Sequence, residues 1–265
     1  MNKNEIADEV ARSKKYSNID RAVIERISAE TIPKYVRPKD VIKAVKKTLH
    51  MIYESYIPEE SHTRAEAYLS SYTGPDIKTN RAFSASIMAL HASTNERLGQ
   101  AAAIYDYICR YVNAEDSIID IGCGFNPFAL PFFTSLPKSY YAFDICSSTI
   151  ALLNSYFSSA NLPYSADICD AVTNTPKVSG NVLFMFKLFP LLEQQKKGRA
   201  FDVIRSLDCN TAVVSFPLKS ASGRDKGMDA FYSALFEKGL PSGFLITDKT
   251  KFINEMFYVI TKGNL

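Results

Sequence analysis

Ile118-Ile119-Asp120-Ile121-Gly122-Cys123-Gly124-Phe125-Asn126-Pro127 begins as a strand and ends as a turn. Branched apolar residues in close succession suit a strand buried on both faces of a parallel sheet. Two glycines follow, so the backbone can approach a nucleotide-like ligand with no β-carbon in the way. Pro127 suits the first turn of a following helix, where its missing N–H costs nothing. A second strand-like run, Tyr140-Tyr141-Ala142-Phe143, ends in Asp144. An acid about 20 residues on, at the tip of the second strand, is where a ribose hydroxyl pair is held in nucleotide-binding βαβ units. An ordinary α/β turn with a capping aspartate gives the same spacing, so the motif alone leaves both readings open.

Downstream, strand and helix signals alternate. Thr149 to Phe157 is predicted helical, with Ile150, Leu153 and Phe157 on one side. Tyr164-Ser165-Ala166-Asp167 reads as a short strand tipped by an acid. Asn181 to Phe186 reads as a buried strand leading into Lys187-Leu188-Phe189-Pro190. A helix is predicted from Leu191 to Leu207, then a buried strand at Thr211 to Pro217. Ser220 to Gly227 is a polar, glycine-bearing loop, expected to be mobile, and residues 228–238 look helical. Phe244 to Thr247 and Glu255 to Ile260 suggest a terminal hairpin. Five parallel strands plus that hairpin make the seven-stranded, mostly parallel, Rossmann-like sheet of a class I S-adenosylmethionine (SAM)-dependent methyltransferase. Ligands of open α/β sheets lie beyond the carboxyl ends of the strands. Asp120, Asp144, Asp167 and Lys187 are expected to gather there.

Upstream, residues 5–30 show helical periodicity interrupted by the polar run from Ser13 to Asn18, and Pro33 and Pro38 mark a turn. A helix is expected after Asp40 as N-cap, with Val41, Val45, Leu49, Ile52 and Tyr56 on one stripe and Lys43, Lys46, Lys47 and His50 off it. Residues 60–80 read as polar. Ser93 and Glu96 form a capping-box pattern, so a further helix is expected to begin there and run through Leu98, Ala101, Tyr105, Ile108 and Val112. That places Arg97 in a first turn, where the helix dipole disfavours a cation. Either the placement is incidental or an anion holds it. The expected division is a helical, basic domain at 1–82 and the methyltransferase domain at 83–265.

Charge supports a localised role for the front of the chain. Residues 1–50 hold twelve Lys/Arg against seven Asp/Glu, while the whole chain carries +3, so the remainder is slightly negative. A basic segment on an otherwise balanced chain favours a local polyanion contact over general stickiness, although a solvated helical face has the same composition. Five scattered cysteines and three histidines show no metal-ligand spacing, and no metal is expected. The N-terminus lacks the apolar core of a signal peptide and no run is long enough to span a bilayer, so a cytoplasmic protein is expected. Sequences that hold exocyclic amines for methylation, or a Pro-Cys nucleophile, are missing. An acceptor with its own lone pair, such as a purine N7, needs no base; it needs alignment.

The chain resembles the aminoglycoside-resistance 16S ribosomal RNA (guanine-N7) methyltransferases nearly end to end. The resemblance rests on Ser13-Lys14-Lys15-Tyr16, Leu49-His50, His91 to Arg97, Gly122 to Pro127 and Lys187-Leu188-Phe189-Pro190-Leu191-Leu192-Glu193. It continues through Ser215 to Ser220, Gly223 to Met228 and Asn254-Glu255. It implies N7 methylation, from SAM, of guanine 1405 in the decoding-site helix of 16S rRNA within the assembled 30S subunit, by a monomer. The consequence would be resistance to 4,6-linked deoxystreptamine aminoglycosides. It implies that Arg97 pairs with the SAM carboxylate, Gly122 lies against its amino-acid part, Asp144 holds the ribose and Asp167 the adenine amine. Lys187 and Glu193 are implied at the active-site edge, with capping left open for Glu193. Lys219, Arg224 and Met228 match the loop that engages the target, Lys219 as an RNA contact. Lys15, Lys46 and Lys47 match basic positions that dock on the small subunit. The chain departs from the family at Phe231 and Ile253. Methylation of another rRNA base, or a SAM-binding ribosome-associated factor without transferase activity, are the competing readings.

Overall fold

The computed structural model describes residues 1–263 apart from 55, 59, 74, 75 and 219–227, with no side chain described at 54, 228 and 229. Three helices open the chain: α1 (Lys3–Ala11), α2 (Arg21–Thr31) and α3 (Pro38–Leu49). A full capping box starts α1, Asn2 accepting from the Asn4 and Glu5 N–H groups while Glu5 accepts from the Asn2 N–H. The third helix begins at Pro38, ahead of the expected Asp40 cap, because proline's missing donor is harmless at N1. Asp40 instead accepts from Arg37 at 2.8 Å. Val41, Val45 and Leu49 are buried and Lys43 and Lys47 exposed, as the stripe required.

A π-helical turn, His50–Glu54, follows, and then α4 (Ser61–Ser70) occupies ground that reads as merely polar. Its buried residues are Ser61, His62 and Ala65, a face too small and too polar to register as periodicity. Next come α5 (Arg81–Met88), α6 (Ala92–Leu98) and α7 (Ala101–Ile108). The single helix expected from Ser93 is therefore two, broken at Gly99-Gln100. The expected capping box does not form: His91 occupies the N-cap position without a side-chain cap, and the Ser93 hydroxyl meets His91 Nδ1 at 3.1 Å. Arg97 consequently lies in the last turn of α6, where the dipole favours a cation.

The sheet comprises β1 (Ser117–Ile121), β2 (Ser139–Asp144), β3 (Ser165–Ile168), β4 (Val182–Phe186), β5 (Thr211–Pro217), β6 (Phe244–Lys251) and β7 (Glu255–Lys262). Its order is β3-β2-β1-β4-β5-β7-β6, with β7 antiparallel to both neighbours and the other pairings parallel. A 3-10 run, Asn126–Phe132, carries Pro127 in its first turn after β1. The remaining helices are α8 (Ser147–Ser159), α9 (Phe189–Gln195), α10 (Arg199–Ser206) and α11 (Met228–Gly239). The helix expected over Leu191–Leu207 is split at Gly198, whose φ of 83° no helix can carry. Glu193 bridges the break, accepting from the Gly198 N–H at 2.8 Å and the Ala200 N–H at 2.9 Å.

Alternating strand residues feed two apolar layers. Ile118 joins a cluster that runs from Ile6 through Val45 and Ile104 to Val259, so the front helices share one core with that face of the sheet. Ile119 joins the opposite layer with Leu183, Val214, Phe236 and Tyr258. Backbone bonds tie the front to the sheet as well: the Asp20 N–H donates to Ile145 at 2.8 Å, and Ile19 bridges Cys146. Among the described residues no helix is long and apolar enough to cross a membrane.

Glu193→Ala is expected to lower stability by about 1 kcal/mol through loss of the α10 cap, read as a lower urea midpoint with an unchanged slope.

Candidate active site

Beyond the carboxyl ends of β1, β2 and β4 lies a cleft of about 810 Å³, counting its open mouth. Its floor is the glycine turn. Gly122 and Gly124 have φ of 65° and 48°, left-handed values that disfavour side chains. A Cβ on Gly124 would lie 2.7 Å from His91 Nε2, and one on Gly122 2.9 Å from Leu188 Cδ1. The left-handed backbone disfavours a side chain at both glycines, and at Gly124 the buried His91 ring also fills the space a Cβ would need.

Asp144 ends β2 and holds that turn in place. Its Oδ2 accepts from the Gly124 N–H and its Oδ1 from the Cys146 N–H, each at 3.0 Å. Burial pushes its pKa up, opposed by these N–H groups. Asp144 faces the cleft, and each oxygen keeps acceptor capacity beyond the bond it makes. Asp120 was expected at this edge but is buried behind it. It accepts from the Tyr140 hydroxyl at 2.6 Å and from Asn126 Nδ2 at 2.8 Å, leaving Oδ1 without a partner among the described residues. Burial, opposed by those two bonds, pushes its pKa up to about 6.

Lys187 lines the cleft with a left-handed backbone (φ 56°), held by its N–H donating to the Ser215 carbonyl at 3.1 Å. Its Nζ pairs with Glu96 and lies 3.7 Å from Glu255. Glu255 also takes the Arg97 fork, Nε at 2.8 Å and Nη2 at 2.7 Å, and accepts from the Ser215 hydroxyl. Arg97 Nη1 reaches Asn126 at 3.2 Å. Arg97 is 3% exposed and lies behind the cleft wall, so in this structure its carboxylate partner is internal. Burial would raise the Glu255 pKa, but Arg97 and Lys187 outweigh it and the carboxyl is held low. His91, in the wall, and His62 nearby are neutral imidazoles, pushed down to about 3 and about 4 by burial.

Two expected site residues lie elsewhere. Asp167 is exposed and outside the cleft, its Oδ1 accepting the N–H of Ile168, because β3 runs one residue past it. The acid in the wall is Asp170, in the turn after the strand. Glu193 is also outside, both its oxygens occupied by the α10 cap. Lys219 and Arg224 fall outside the described residues, as does the Met228 side chain, although Met228 starts α11. Lys15 and Lys47 are exposed and Lys46 half-buried, its carbonyl accepting from the Tyr16 hydroxyl at 3.2 Å. Of the departures, Phe231 is exposed, and Ile253 is exposed with its N–H donating to Gln100. The opposite wall of the cleft escaped sequence reading. Val23 and Arg26 of α2 and Tyr53, Tyr56 and Ile57 around the π turn supply it. Of the lining residues here, only Tyr56 and the neighbouring Ile52 gave a signal, as continuations of the α3 stripe.

Strand order, glycine turn and acid-tipped β2 together define a class I SAM-dependent methyltransferase fold. The family model for ribosomal RNA methyltransferase (FmrO) matches residues 12–259, and the chain belongs to that family. It is 33% identical to a 16S rRNA (guanine(1405)-N(7))-methyltransferase of Serratia marcescens, over 99% of this chain and all of that one. It is 30% identical to the enzyme of the same name from Proteus mirabilis, over 97% and 96% of the two chains. The crystal structure of 16S rRNA methyltransferase RmtF in complex with S-adenosyl-L-homocysteine superposes with a TM-score of 0.90 at 27% identity, covering 99% of each chain.

The Asp120 carboxyl titrates at about 6 in the folded chain against a reference of 3.8. Its stabilising contribution is complete below about pH 4 and is lost as pH rises through 6. Asp120→Asn should therefore gain on the wild type between pH 4 and pH 7, by on the order of 2 kcal/mol, measured by urea unfolding at both pH values.

Proposed function

We propose that the chain transfers a methyl group from SAM to N7 of guanine 1405 of 16S rRNA in the 30S subunit, and so protects the ribosome against aminoglycosides. The observation that carries this reading is the full-length match to enzymes of that name. The cleft fits the donor: two glycines leave the backbone bare, and a strand-end carboxylate faces the space above them.

When bound, SAM supplies an electrophilic methyl group on a sulfonium centre. Gly122 lets the backbone lie against the amino-acid part, and Asp144 turns its unused acceptor capacity to the ribose hydroxyls. Asp170, facing the cleft, takes the place first assigned to Asp167 as acceptor for the adenine amine. The donor's carboxylate is assigned to the end where Lys187 lines the cleft and Arg97 lies behind the wall, both paired with Glu255. Lys187 attends the target base, a role that the resemblance gives to Arg224 and Met228 as well. A purine N7 carries its own lone pair, so no group here has to remove a proton before transfer. The neutral His91 and the engaged carboxylates suit such a reaction.

A stacked base cannot reach the cleft, so the guanine is extruded from its helix. A-form RNA offers little readable sequence, which makes ribosomal shape and phosphate position the basis of recognition. Residues 1–82, acting as one monomer's docking part, present Lys15, Lys46 and Lys47 for that contact, joined by Lys219.

Mass spectrometry of 16S fragments after incubating 30S subunits with the protein and SAM should find one added methyl, on guanine 1405, and none on free 16S RNA. A methyl elsewhere, or none at all, would refute the assignment. Asp144→Ala should abolish transfer and leave a sensitive bacterium unprotected.

A further inference from the structure

An arginine of the docking helices reaches across the cleft. Arg26 of α2 donates from Nε to Asp170 Oδ2 at 2.6 Å and from Nη2 to Asp170 Oδ1 at 3.3 Å. Nη2 also meets Gln195 Oε1 of α9 at 3.0 Å, and Nη1 meets Glu30 at 3.2 Å. The side chains of Arg26 and Asp170 are 11% and 10% exposed, and Arg26, Asp170 and Gln195 all line the cleft. Asp170 Oδ1 is further occupied by the Val172 N–H at 3.0 Å. Among the described residues Oδ2 takes only the Arg26 Nε–H, so it retains a lone pair for another donor.

Resting on the donor reading of the cleft, we infer that Arg26 is a positioning residue for the donor's purine ring, acting through Asp170. A fork held at two points fixes the rotation of the carboxylate, which a point charge cannot do. The fixed Oδ2 accepts from a 6-amino group and repels a 6-oxo group. A site built around one such bond discriminates sharply against the analogue that cannot make it. Because Arg26 belongs to α2, the helices that dock on RNA also set which nucleoside the cleft admits. Nothing in β1 to β5 supplies the same fork: Asp170 has no other side-chain cation among the described ion pairs.

The test compares binding of S-adenosylhomocysteine and S-inosylhomocysteine, which differ at purine position 6, by calorimetry on the full-length protein. The wild type should prefer the adenosine compound by at least about tenfold. Arg26→Gln should bring that preference below about threefold, chiefly by weakening the adenosine compound, and Arg26→Lys should keep an intermediate preference. A purely structural clamp predicts instead that Arg26→Gln weakens both compounds by the same factor, and that result, or no change, overturns the inference. So does a wild type that binds both equally, which leaves the donor reading standing. A wild type that binds neither compound removes the donor reading and the inference together. Thermal melting of each variant without ligand identifies loss of fold, and Asp170→Asn, which keeps the size but lowers the charge, should reproduce the loss of preference in a folded protein.

Discussion

The buried pairing of Glu255 with Arg97 sets the frame for everything around it. Its carboxylate takes the whole guanidinium fork, lies near the Lys187 ammonium and accepts from Ser215, at 2% exposure. Four separate elements meet there: α6, the turn after β4, β5 and the start of β7. A charge this deep is tolerable only if fully matched, and removing one partner from such a pair costs about 3–5 kcal/mol. Arg97 also faces the Phe186 ring at 4.8 Å, so its cationic face is covered as well as its edge. The pairing therefore works as a locator. It decides where the chain after β4 turns, and with it the left-handed backbone of Lys187 at the lip of the cleft.

From Arg97 the network continues through Asn126 to Asp120, Tyr105 and Tyr140. These groups lie under the glycine turn and make its floor rigid. Asp120 is the weak point of this arrangement, since one oxygen has no partner among the described residues and burial raises its pKa to about 6. Above the floor, Asp144 fastens the turn through two backbone N–H groups while still facing the cleft. One carboxylate thus links the loop's shape to the ligand's place. A ligand that engages Asp144 finds the turn already formed, which lowers the ordering cost of binding.

The front helices are part of the cleft. They share an apolar core with the sheet, and α2 with the π turn after α3 closes one side of the cleft. The basic front helices thereby supply one wall of the cleft. Small displacements of α2 would be felt at Asp170 through Arg26.

Much of this was legible in order of residues. Strands β1, β4 and β5 announced themselves as apolar runs, because strands buried on both faces cannot contain much else. The glycine pair and Asp144 were legible because backbone conformation and strand-end position restrict which residues can stand there. Helix ends were read less well. Ser93 and Glu96 have the spacing of a capping box, yet Glu96 is drawn to Lys187, a partner 91 residues away. Asp167 and Asp170 are both acids near the end of β3, and only the length of the strand decided which one entered the cleft. Glu193 left open a place at the active-site edge or a capping role, and it caps α10 because Gly198 breaks the helix in front of it. Local conformational limits and burial periodicity are written in neighbouring residues, so the chain alone determined its sheet, its glycine turn and its basic front. The pairing of buried charges depends on groups far apart in the chain, competing for the same partners, and only the folded structure decided those matches.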